Sequence, residues 1–148
     1  MSNFYKDLET QKKGDKTPLN SALSELKFND AGLIPAIAQQ HDTGEVLMMA
    51  WMNKQSIEET LETGHVCYWS RSRNNYWRKG ESSGKQQRVI SMGADGDGDT
   101  LLVKVNQKGA ACHTGRRDCF YNEISKDGLQ INSDPIQDPN DLYKKVKA

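Results

Sequence analysis

The apolar residues of this chain never run on for long. They gather in short blocks, 32–38, 46–52 and 101–105 among them, separated by polar and turn-forming residues. Blocks of that length suit the strands of a sheet and are too short for a bundle of long helices. None approaches the ~18 consecutive apolar residues that a membrane span needs, so no membrane partner is expected. With 148 residues the chain has room for one domain and a small core. Its 20 basic residues balance 20 acidic ones. That balance argues against a general nucleic-acid binder, yet leaves room for a local phosphate pocket. Residues 1–15 are polar and lysine-rich with no apolar signal core, so the expected compartment is the cytoplasm. Cys67, Cys112 and Cys119 are an odd set for a disulfide framework, and they favour thiols, metal ligands or a nucleophile.

Residues 1–19 read as a polar, partly helical extension, and 20–148 as one domain. The 32–38 run carries Pro35, which has no N–H to give a ladder, so it reads as an edge strand. Residues 46–52 read as a buried strand. The period then changes. Asn53 is placed to cap a helix over 54–63, with Ile57 and Leu61 on one face and Gly64 at the C-terminal cap. Residues 65–72, 87–92 and 101–105 read as strands, and 74–84 as a loop. Lys126-Asp127-Gly128 is the turn signal of a hairpin between 119–124 and 129–132. The expected fold is α+β: mostly antiparallel strands with one or two helices.

Three constellations could carry chemistry. Asp95-Gly96-Asp97-Gly98-Asp99 sets three carboxylates at alternate positions, and glycines let the backbone curl until they converge on a hard cation. The alternative is a solvated glycine-rich turn. An EF-hand is excluded, because Thr100 and Asn106 stand where that loop needs glycine and glutamate. The second is Cys112-His113-Thr114-Gly115-Arg116-Arg117-Asp118-Cys119. Its thiolates suit zinc, and its imidazole suits a ligand or a general base. The alternative is two buried cysteines and a surface histidine. The third is Ser70-Arg71-Ser72-Arg73 with Trp77-Arg78-Lys79-Gly80-Glu81-Ser82-Ser83-Gly84. Guanidinium forks, hydroxyls and glycine amides hold phosphate, although a solvated basic loop has the same composition. His65 and Cys67, two apart on an expected strand, would share a face.

Taken in order, these segments resemble the phosphoribosyl-AMP cyclohydrolase family. The likeness begins with residues 32–39 and 44–53, continues through Tyr68-Trp69-Ser70-Arg71-Ser72-Arg73 and 77–84, and closes with the aspartate triplet and 111–120. The resemblance implies an intertwined homodimer with shared active sites. It implies magnesium on Asp95, Asp97 and Asp99, and zinc on three cysteines, one of them from the partner subunit. The implied substrate is a small-molecule nucleotide, 1-(5-phosphoribosyl)-AMP, whose adenine ring is opened by hydrolysis at N1–C6. The implied form is monofunctional, without the pyrophosphohydrolase domain fused in many relatives. On this reading His113 is the catalytic proton carrier, while Arg71, Arg73, Trp77, Arg78, Lys79, Glu81 and Ser83 contact substrate or phosphate. Cys112 and Cys119 match two zinc ligands. Gly96 stands where the family motif has the third cysteine. That departure keeps two other expectations open: a non-catalytic module in which Cys112, Cys119, Cys67 and His65 form a closed structural zinc site, and a pseudoenzyme that retains the fold and a partner interface.

Overall fold

The protein was analysed as a computed structural model that describes residues 4–80, 84 and 86–140. The centre is a six-stranded sheet. Its strands are β1 (Ile34–Gln40), β2 (Val46–Met52), β3 (Cys67–Ser70), β4 (Asn75–Arg78), β5 (Gln87–Ala94) and β6 (Leu101–Gln107). They lie in the order β4-β3-β2-β1-β6-β5. Every pairing is antiparallel except β1 with β6, so the α+β expectation holds.

Strict alternation explains why the middle strands sit where they do. In β1 the residues Ile34, Ala36, Ala38 and Gln40 are buried, and in β6 Leu101, Val103, Val105 and Gln107 are. A period of two turns one side of each strand towards the core. The strand carrying Pro35 is therefore central, not at an edge. The ladder geometry shows why proline is tolerated. Pro35 lies opposite Trp51 of β2, and the parallel pairing to β6 begins only at Ala36. Proline thus stands just before the neighbour that would ask for its N–H.

Among the described residues, helices accompany the sheet. Helix α1 (Phe4–Asp7) runs into a single 3-10 turn, Leu8–Thr10, and forms an N-terminal arm. Helix α2 (Leu19–Ser24) was not foreseen from the sequence, which is short on apolar periodicity there. Helix α3 (Lys54–Thr63) packs on β2 and β3. Its inner face is Ser56, Ile57 and Thr60, while Leu61 is 41% exposed, so Ile57 and Leu61 do not share a buried face. Thr60 explains the difference. Its hydroxyl donates to the Ser56 carbonyl at 2.7 Å and accepts from the Cys67 amide at 2.9 Å, turning that side of the helix onto β3. The expected loop at 74–84 contains β4, whose Tyr76 and Trp77 lie opposite Trp69 and Tyr68 of β3. Aromatic cross-strand pairs stabilise a ladder even among turn-forming residues.

A separate hairpin, β7 (Asn122–Ser125) and β8 (Gly128–Ile131), turns at Lys126-Asp127 as expected. All of its strand residues are exposed.

The Asn53 cap fixes where β2 ends and α3 begins. Its side chain accepts from the Ser56 amide at 2.8 Å, and the Ser56 hydroxyl accepts from the Asn53 amide at 2.9 Å. Replacing Asn53 by alanine is expected to cost about 1 kcal/mol of stability, and Asn53→Asp much less, in urea unfolding. Equal midpoints for the alanine variant and the parent would show that the box contributes nothing.

Candidate functional site

The aspartate loop joins β5 to β6. It is closed locally: the Asp95 amide donates to the Thr100 carbonyl at 2.9 Å and the Gly98 amide to the Asp95 carbonyl at 3.0 Å. The Asp95 carboxylate accepts from the amides of Asp99 and Thr100 at 2.9 and 3.2 Å. One oxygen each from Asp95, Asp97 and Asp99 gathers so that all lie within 4.8 Å of one another, and all three residues are exposed. Crowding shows in their acidity. Hydrogen bonding to Asp95, together with the Asp95 and Asp97 charges, raises the Asp99 carboxyl above its usual range. Partial burial pushes Asp95 upwards too, but the amide bonds from Asp99, Thr100 and Gly98 outweigh it and hold Asp95 low. Converging oxygens with uncompensated negative charge fit a hard divalent cation.

Gly98 lies at the heart of this loop and is buried, with φ of 71°. The Lys27 amide donates to its carbonyl at 2.8 Å, and the Tyr5 ring of the arm covers its α-carbon. Gly96 differs. It is exposed, its φ lies outside the left-handed region, and a Cβ there would meet nothing within 4 Å.

The thiol loop follows β6. The Ala111 and Cys112 amides donate to the carbonyls of Arg117 and Arg116, and the Cys119 amide donates to the Leu47 carbonyl of β2 at 2.8 Å. These bonds fold 112–119 back on itself and bring the Cys112 thiol close enough to affect the acidity of Cys119. Thr114 donates its hydroxyl to the Cys112 sulfur at 3.1 Å. Burial, with the neighbouring Cys112 thiol adding to it, pushes the Cys119 thiol up to about 12. Lys79 reaches in from the end of β4 and donates to the Ala111 carbonyl. Burial lowers its ammonium pKa, and the charges of Cys119 and Cys112 oppose that change. Arg117 braces the loop from behind, bonding the Gln107 carbonyl at 2.9 Å, the Gly109 carbonyl, and Glu45 at 3.3 Å. His113 projects from the turn and is exposed.

Two neighbouring thiols with the half-buried Lys79 ammonium beside them fit a soft metal at two of its positions. Among the described residues no third histidine, cysteine or carboxylate gathers with them. Cys67 is fully buried behind Thr60, and His65 is exposed at an isolated bridge to Arg88, so the two do not share an environment. All three cysteines are thiols rather than disulfides.

The remaining expected site residues are scattered. Arg71 and Arg73 are exposed in the β3–β4 turn, Arg71 lying over the Trp51 ring at 4.7 Å. Trp77 packs on Tyr68 at 5.4 Å and flanks the core. Arg78 makes a two-pronged pair with Glu59 of α3 at 2.9 and 2.8 Å. Glu81 and Ser83 lie outside the described residues. Tyr5, Thr114, Glu59 and Arg117 were not singled out from the sequence. Each acts across a long sequence separation or through a local turn that no motif spacing encodes.

The described chain also folds back on the thiol loop. The amides of Ile136 and Gln137 both donate to the Gly115 carbonyl, at 2.9 and 3.2 Å, and Arg116 donates to the Ser133 carbonyl at 2.8 Å.

The model of the family described as phosphoribosyl-AMP cyclohydrolase matches residues 48–121. A phosphoribosyl-AMP cyclohydrolase of Alkalilimnicola ehrlichii is 58% identical over 140 residues, covering 95% of this chain and 99% of that protein. The protein of the same name from Alcanivorax borkumensis is 60% identical over 142 residues, 96% of this chain and 100% of its own length. That of Chromohalobacter salexigens is 57% identical over 143 residues, 97% and 98% respectively. No helix among the described residues is long and apolar enough to cross a membrane.

The seat of the thiol loop can be tested at Gly115. Its φ is 87°, and a Cβ there would collide with the Gln137 carbonyl group and touch Pro135. Gly115→Ala is expected to destabilise the protein by roughly 1–3 kcal/mol, from left-handed strain plus the displaced strap. A thermal-unfolding midpoint equal to the parent's would mean that the 133–137 segment does not seat on this bend.

Proposed function

The chain belongs to the phosphoribosyl-AMP cyclohydrolase family, and from that premise we propose how its residues divide the reaction. It is an enzyme: it hydrolyses the N1–C6 bond of the adenine ring in 1-(5-phosphoribosyl)-AMP, giving the formimino-carboxamide ribonucleotide of histidine biosynthesis. The observation that carries the division of roles is the 112–119 loop, which brings two interacting thiols and an exposed imidazole into one turn.

Ribose on N1 makes the ring cationic and so primes C6 for attack. A water oxygen adds at C6, the N1–C6 bond breaks, and N1 leaves with a proton. His113 takes the proton from the water and delivers one towards N1, the work of a positioned acid–base group. Cys112 and Cys119 hold zinc, which when bound supplies Lewis acidity and brings the pKa of water down towards ~7. Asp95, Asp97 and Asp99 hold magnesium, whose charge offsets that of the substrate phosphates. Arg71 and Arg73 are exposed and positioned to meet a phosphate. Arg78 meets one only by exchanging its Glu59 partner. Lys79 contributes its charge to the thiol pair instead.

A single chain does not assemble this site. The two metal-bearing loops leave opposite ends of β6, about 20 Å apart at ~3.3 Å per extended residue. A second copy with two-fold symmetry brings one chain's aspartate loop to the other's thiol loop. The β7–β8 hairpin supports the same reading. Ile124, Leu129 and Ile131 are 79%, 60% and 48% exposed, and an isolated two-stranded hairpin is marginal in water. We place the enzyme in the cytoplasm, where cysteines without disulfides are at home. The reading as a closed structural zinc module has no support, because Cys67 and His65 do not join Cys112 and Cys119.

Absorbance of the opened ring reports turnover. His113→Ala is expected to lower it roughly 10²–10⁴-fold with zinc content unchanged, and loss of zinc along with activity would make the histidine a ligand. Mixing His113→Ala with Asp97→Asn and allowing subunits to exchange should restore up to about a quarter of parental activity, since half the dimers are mixed and carry one intact site. No recovery despite exchange would rule out the shared site.

Gly96 provides a separate test. The open space at its Cβ allows a thiol without strain. Gly96→Cys is expected to tighten zinc binding in competition with a chelator, because a third thiolate replaces a weaker ligand. An unchanged zinc affinity would mean that position 96 does not face the metal.

A further inference from the structure

We propose that Tyr5 is a positioning residue for the aspartate loop, holding it from the N-terminal arm; this deepens the reading of Asp95, Asp97 and Asp99 as a magnesium site and rests on it. The arm lies outside the 48–121 stretch that the family model matches.

Tyr5 has two attachments. Its hydroxyl donates to the Ala22 carbonyl of α2 at 2.7 Å, and its ring packs against the main core. The same ring occupies the space over Gly98: a Cβ built there would fall 2.7 Å from the ring Cγ and 2.8 Å from Cε2. Gly98 is consequently buried while Asp95, Gly96, Asp97 and Asp99 around it are exposed. The segment after α2 grips the same residue through the Lys27 amide. The middle of the loop is therefore clamped from two sides, and the carboxylates stand out around the clamp. Tyr5 also lines a cavity of about 510 Å³, together with Leu8, Leu19, Leu23, Met92 and Gly96, so arm, α2 and aspartate loop border one space.

The clamp matters because the carboxylates repel one another. A loosely held loop would relax by spreading them, and cation binding would then have to order the loop as well as fill the site. A loop already held in the converged shape avoids that cost.

The test is calorimetric titration of magnesium into the metal-free protein, with no turnover involved. Tyr5→Ala is expected to bind magnesium roughly 10-fold more weakly while remaining folded, as judged by circular dichroism. Tyr5→Phe keeps the ring on Gly98 and should stay within about twofold of the parent. Unchanged affinity in a folded Tyr5→Ala protein would overturn the clamp and leave the magnesium site standing. Absence of magnesium binding by the parent itself would take down both. A double-mutant cycle adds an independent readout. Gly98→Ala should lose less magnesium affinity in the Tyr5→Ala background than alone, since the collision with the ring is gone and only the left-handed strain remains. Strict additivity would show that the ring and Gly98 do not act together, and would refute the proposal.

Discussion

Strand β6 sets the distance on which everything else depends. It is paired on both sides, parallel to β1 and antiparallel to β5, and its core-facing residues Leu101, Val103, Val105 and Gln107 are buried. A strand so held is a rigid rod. The acid loop enters at one end and the thiol loop leaves at the other. On the proposed reading, chemistry that needs both loops is shared between two copies of the chain.

The two loops solve opposite electrostatic problems. In the acid loop the charges are in water and crowd one another, and backbone amides from Asp99 and Thr100 restrain the cluster by bonding Asp95. In the thiol loop the groups are withdrawn from water, where burial favours the neutral thiol, and the Lys79 ammonium leans the other way. A hard cation answers the first situation and a soft one the second.

Much of this was legible in the linear order of residues. The helix at 54–63 announced itself through Asn53 and Gly64, and the structure places a reciprocal cap and a left-handed residue at those positions. The alternating aspartates and the cysteine–histidine cluster stood out by composition. Other features were hidden for physical reasons. Pro35 suggested an edge, because a sequence does not reveal that the neighbouring ladder begins one residue later. The strand at 75–78 is built on aromatic pairs across β3, which outweigh the turn propensities of its own residues. Arg78 has Glu59 of a helix in its fork, a pairing that no motif spacing reveals. Tyr5 was invisible because its meaning lies entirely in Gly98, far along the chain.

The described chain meets the two loops near both of its extremities. Tyr5 rests on Gly98, and the amides of Ile136 and Gln137 hold the Gly115 carbonyl. An affinity handle or a reporter protein fused at either end would therefore hang from a segment that touches the chemistry, and would act as a lever on it rather than as inert cargo. Turnover of a preparation tagged at either end is therefore to be compared with that of the untagged chain.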